Sequence, residues 1–182
     1  MIIKGKVIIG KNAMIANNVQ LGNDENGTLI IGDDAVIRSG TVVYSDVVIG
    51  KNFQSGHNVL IRENSCIGDN VLAGTNVVIE NDAYVGSCTK LQTGAYVTSH
   101  TVIEDRVFMG PYSVTTNDKY MDSTSVLCGP HLNSGARIGA RSVILPGVEV
   151  GRNAVVGSGS VVTRNVPEGV TVFGNPARMM RG

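Results

Sequence analysis

The densest run of groups able to do chemistry is TTNDKYMDST, which carries Thr116, Asn117, Asp118, Lys119, Tyr120 and Asp122. A carboxamide such as that of Asn117 both donates and accepts hydrogen bonds, so it can hold a polar acceptor in one orientation. A carboxylate such as that of Asp118 can take a proton, directly or through water. The histidines His57, His100 and His131 are the other candidates, because an imidazole changes charge near neutral pH. His100 stands three residues after Val97, and His131 precedes Leu132, so its ring should point outward. Cys66, Cys88 and Cys128 follow no metal or disulfide spacing.

What brings these residues together is a period of six. Aliphatic residues recur at Ile9, Ile15 and Leu21, then from Ile31 through Ile37, Val43 and Ile49 to Met109 and Thr115, then from Val126 through Leu132 and Ile138 to Val162. Ser55, Ala73 and Thr115 are the exceptions in size. Glycine repeatedly follows the aliphatic residue, and a small or β-branched residue stands four places after it. Each hexad therefore reads as a short strand and a bend, with both columns pointing inward. Three hexads close a triangular coil of about 18 residues, stacked at roughly 4.8 Å. About 25 hexads make roughly eight coils of an all-β parallel helix, with repeats over about 7–165 in a single domain 1–182. Phe53 beside Ser55 and Ala73 supplies the volume that they lack.

The register breaks twice. Ten residues separate Leu21 from Ile31, and eleven separate Thr115 from Val126, which predicts a protruding loop over about 116–125. A tail follows over 166–182. Stacking by 18 puts Ser99 and His100 under Asn117 and Asp118, with Asn81 and Asp82 one coil lower, so polar groups from three coils converge beside the loop.

Composition narrows the function classes. Acidic and basic residues balance at 15 each, there is no Trp, and aromatic residues make up 4%. Nucleic acid and anionic membranes are therefore not expected partners. No stretch has the roughly 18 continuous apolar residues of a spanning helix. MIIKGKVIIG lacks a long apolar core with a cleavage site, and an odd number of cysteines points to a reducing cytoplasm.

The last third carries ILPGV, VGSGSVVTRNVP and FGNPAR, and strongly resembles the C-terminal coils of the hexapeptide-repeat acyltransferases. The resemblance implies a left-handed coil, a homotrimer and acetyl-CoA as cosubstrate, bound between neighbouring helices. It implies backbone contacts to pantetheine at Ala140 and Ser158, and puts Thr163, Arg164 and Arg178 near the adenine and phosphates. The two arginines suit a phosphorylated nucleotide. Members that acetylate sugar hydroxyls carry a catalytic histidine in the loop, where this chain has MGPYSVTTNDKYM. That stretch resembles the branch that acetylates amines on nucleotide-linked sugars. A neutral amine has its lone pair available, so positioning can suffice. The γ-class carbonic anhydrases share the fold, but zinc there needs a short histidine pair that His57, His100 and His131 do not provide, so no metal is expected.

The reading is an acetyl-CoA-dependent N-acetyltransferase for a nucleotide-linked amino sugar. Asn117, His100 and Asp118 stand as catalytic candidates, and Ser99, Asn81, Lys119 and His131 as substrate-binding ones. The alternatives are an O-acetyltransferase with His100 or His131 as base, and a non-catalytic β-helix scaffold.

Overall fold

The structure, a computed structural model, describes residues 1–122, 124 and 126–180. Ser123 and Ser125 of the expected loop, and Arg181 and Gly182 of the expected tail, lie outside the described residues.

Two-residue strands alternate with tight bends and stack into three parallel sheets, the faces of a triangular prism. The first face has nine strands, from Ile2–Ile3 to Val161–Val162, and the second has eight, from Lys6–Ile9 to Glu149–Val150. The third has ten, beginning at Met14–Ile15. That makes about nine coils where the hexad count gives eight. Rungs pair 18 residues apart, as Ile61 with Ile79 and Ile79 with Val97. The inner column is closed to solvent: Ile61, Ile79, Val97 and Ile103 are each 0% exposed. Burying one such side chain stabilises by about 1.5–3 kcal/mol.

The bends depend on residue type at two positions. The third residue after the inner aliphatic lies in the left-handed region, with Asn52, Asn58, Asn64, Asn70 and Asn76 at φ 55–58°. Asparagine tolerates that conformation better than other non-glycine residues. Its amides also ladder between coils, Asn52 Nδ2 donating to Asn70 Oδ1 at 3.1 Å. The glycine after the aliphatic answers to space rather than to φ. A Cβ on Gly32 would stand 2.6 Å from the Gly50 carbonyl carbon.

Ser55 and Thr115, polar in an aliphatic column, are fully buried and have a common task. Each hydroxyl accepts a backbone N–H from the coil below, Arg38 to Ser55 at 2.8 Å and Thr98 to Thr115 at 2.9 Å. Phe53 fills the adjacent volume, buried beside the Ser55–Ala73 rung.

One rung of the predicted register does not exist. Val126 is 91% exposed and lies in the loop, and the second face resumes at His131–Leu132. Leu132 pairs with Ile103, and Thr115 with Ile144, both 29 positions on. The insertion is thus eleven residues, and the loop runs from Thr116 to Pro130 rather than ending near 125. An isolated valine at a plausible spacing mimicked a rung. The shorter insertion, after Leu21, projects from the same edge, between the first and second faces. The tail is also more ordered than its sequence implies. Val166 bridges to Val150, and Thr171–Gly174 extends the third face before turning back through Ala177–Met179 as an antiparallel cap.

Candidate active site

The edge between the first and second faces carries the site. Its base is a hydroxyl cluster inside the coil: the Thr98, Thr101 and Thr115 hydroxyls lie 3.2–3.3 Å apart. Ser99 follows, 3% exposed. Asn117 Nδ2 donates to Ser99 Oγ at 2.6 Å and to the Ser99 carbonyl at 3.3 Å, so its amide is fixed from below. The Asn117 carbonyl accepts the Cys128 N–H at 2.8 Å, and the Cys128 carbonyl accepts that of Gly147 at 2.9 Å. These bonds close the neck of the loop.

Above the neck lies a cleft of about 510 Å³ lined by Asn117, Lys119, Tyr120, Thr124, Val126, Cys128, Pro146 and Gly147. Lys119 Nζ sits 5.4 Å from the Tyr120 ring centre, within cation–π range. Asp118 shapes the loop, with Oδ1 accepting the N–H groups of Tyr120 and Met121 at 3.0 and 2.7 Å. Sequence reading missed Cys128, Pro146 and Gly147 as lining residues. Pro146 follows Asn117 by 29, so the corrected insertion length would have found it.

The other expected residues distribute as follows. His100 is exposed, and the position above it belongs to Gly129, not Asp118: a Cβ there would stand 2.5 Å from the His100 carbonyl. The longer insertion causes this shift, because the loop leaves the prism after Asn117. Asn81 Nδ2 donates to Asp82 Oδ2 at 2.6 Å, two coils below Asn117 on the same edge. His131 points outward on the second face, its Nε2 3.1 Å from Glu104 Oε1. Glu104 Oε2 accepts both the hydroxyl and the N–H of Ser134. The Ser134 hydroxyl and then its N–H hold the Glu104 carboxyl below the usual carboxylate range against the opposing effect of burial, with a lesser contribution from His131. Three coils below the loop the Arg62 guanidinium grips Glu63 in a two-pronged pair and lowers the Glu63 pKa. Nearby, Tyr96 donates to Glu80 at 2.6 Å, and burial followed by that bond pushes its phenol up to about 12.

The five residues expected near the cosubstrate form two groups. Ala140 and Ser158 stack on the edge between the third and first faces, where the Ala140 carbonyl accepts the Gly159 N–H at 2.8 Å. A Cβ on Gly159 would meet nothing within 4 Å, so this backbone borders open space. Arg164 and Arg178 line one cleft of about 180 Å³ with Val162, Val172 and Ala177 at the top of the prism, and Thr163 is exposed beside them. Two guanidiniums over an apolar floor fit a phosphorylated nucleotide.

A parallel prism of hexads with one long loop on an edge defines a class, the hexapeptide-repeat β-helix. Residues 129–164 match the family model for the bacterial transferase hexapeptide (six repeats). No curated protein sequence matches the chain. Among solved structures, UDP-N-acetylglucosamine acyltransferase from Bacteroides fragilis superimposes with a TM-score of 0.74 at 18% identity, covering 98% of this chain and 71% of that one. Perosamine N-acetyltransferase from Caulobacter crescentus, in complex with CoA and GDP-perosamine, gives 0.52 at 18% identity over 98% of each chain. Serine acetyltransferase from Vibrio cholerae is 32% identical over 57% of this chain and 40% of its own, with a TM-score of 0.51. The fold is that of the hexapeptide-repeat acyltransferases. Superposition over nearly the whole chain requires one hand, so the expected left-handed coil holds.

Proposed function

We infer that the protein is an acetyl-CoA-dependent N-acetyltransferase acting on the amine of a nucleotide-linked amino sugar. The observation that carries this reading is the Asn117 amide, locked on Ser99 at the mouth of the loop cleft. An amide held in this way can orient an amine without taking its proton. The complex of the Caulobacter crescentus enzyme with CoA and GDP-perosamine supports the same pairing of substrates.

Bound acetyl-CoA supplies an activated acyl group. Ala140 and Ser158 offer backbone to its pantetheine arm, and Thr163, Arg164 and Arg178 take the nucleotide end. Asn117 aims the amine lone pair at the thioester carbonyl. The C–N bond forms, the C–S bond breaks to release CoA as a thiolate that is protonated from water, and the amine proton leaves through water towards Asp118. Lys119, Asn81 and His100 on the same edge bind the rest of the acceptor.

The cosubstrate edge and the acceptor edge flank the first face, so one chain does not bring them together. A homotrimer does, with neighbouring copies meeting along that face. Its outward row, Val42, Leu60, Val78, Tyr96, Val114, Val143 and Val161, carries no charge.

The test is CoA release from acetyl-CoA with a panel of nucleotide-linked amino and hydroxy sugars. Turnover with amines alone is the expected result. Turnover with an alcohol alone sinks the assignment and favours the second reading, O-acetylation with His131 as a base held by Glu104. No acetyl-CoA binding at all would leave a scaffold.

A further inference from the structure

The outward rungs of the third face differ from those of the first. Lys90, Phe108 and Arg137 stand on successive coils in one parallel register. Arg106, at the bend before Phe108, joins them around a cleft of about 450 Å³ whose other walls are Cys88, Val107, Gly135 and Asn153. Three cations line this cleft and no carboxylate does. Among the described residues none of the three forms a salt bridge, whereas Lys51, Arg62 and His131 each have an acidic partner. In a chain of balanced charge, such a concentration leaves an uncompensated positive field in a concave site. Lys90 and Arg137 stand two rungs, about 10 Å, apart with Arg106 at the level between them, so the three cations surround the cleft from different heights. Phe108, 37% exposed, offers an aromatic surface on the same wall.

We propose that this cleft binds a nucleoside diphosphate at a site separate from acyl transfer. Lys90, Arg106 and Arg137 take the phosphates, the arginines as planar forks and the lysine as a point charge. Phe108 packs against the base. The cleft volume suits a ligand of that size. Its lining shares no residue with the loop cleft or with the Arg164–Arg178 cleft. The site is therefore independent of the acetyl-transfer reading and stands or falls apart from it.

Calorimetric titration with UDP, ADP and inorganic pyrophosphate, with acetyl-CoA present at saturation to fill the Arg164–Arg178 cleft, tests the proposal on the full chain. Both nucleotides should bind, more weakly as salt rises, and the triple variant Lys90→Gln, Arg106→Gln, Arg137→Gln should lose roughly tenfold or more in affinity. All three side chains are exposed, so an unchanged melting temperature shows that the variant still folds. Phe108→Ala should weaken UDP and ADP but not pyrophosphate. With acetyl-CoA filling the Arg164–Arg178 cleft, Arg164→Gln should leave UDP binding intact, and the triple variant should keep its KM for acetyl-CoA. Full nucleotide binding by the triple variant, or no binding by the wild type at millimolar ligand, overturns the site. Indifference of UDP to Phe108→Ala overturns the nucleotide assignment. A raised acetyl-CoA KM in the triple variant overturns the separateness.

Discussion

Thr115 sits where its neighbours in the column are aliphatic, and its hydroxyl accepts the Thr98 N–H one residue before Ser99. Thr115→Val keeps the shape and strands that buried donor, so a loss of about 1–3 kcal/mol is expected in denaturant unfolding. The Asn117 amide, proposed to orient the acceptor amine, is more demanding. Asn117→Ala should lower kcat/KM with little change in melting temperature, and Ser99→Ala, which frees the amide to rotate, should follow it in part. Steady-state kinetics on an accepted amino sugar checks both. The Glu104 carboxyl makes an acid-side prediction. Its folded pKa lies below the ordinary 4.5, so its bonds to Ser134 and His131 stabilise the fold above that value. The contribution is lost as pH falls through the depressed folded value. Ser134→Ala removes the largest cause, so the variant should melt earlier than wild type at neutral pH and the gap should close at strongly acidic pH.

At the scale of the element, the loop and the prism are separable. Deleting 118–128 removes eleven residues and returns Gly129 to the position after Asn117, restoring the spacing of 18 seen elsewhere. The shortened protein should keep its circular dichroism and bind acetyl-CoA, and should lose acceptor turnover. Residues such as Ile61 and Ile79 made the prism legible in the sequence, because a period of six leaves one inward position per strand. The Ser99–Asn117 contact was legible too, since the loop departs only after Asn117. What lies beyond that point was not. Val126 has the size and spacing of a rung, and only the hydrogen bonds to Val102 and Gly147 reveal where the chain rejoins. A rung at Val126 would put Ile144 on the second face and Pro146 on the edge after it, away from Asn117. Val166 and Val172 were hidden for a related reason, because the hexad spacing lapses in the tail while the pairing continues.

For the whole molecule, the two halves of the proposed site lie on edges that one chain cannot join, so activity and assembly should fail together. Val78→Lys or Val114→Lys puts a charge on the outward row of the first face. Either should shift sedimentation from the proposed trimer to monomer and abolish turnover while the coil survives. The fixed spacing of the rungs has another consequence. Nearly every contact in the prism closes a chain segment of the same length, so each new coil meets a similar entropic barrier to forming on the one beneath it. The loop lengthens one such closure from 18 to 29 residues, which costs only about 0.4 kcal/mol because closure entropy grows with the logarithm of length. Folding is therefore almost blind to the size of this insertion. The loop proposed to read the acceptor can lengthen, shorten or be exchanged while the ladder assembles at an unchanged pace, leaving acceptor choice free to diverge on a constant frame.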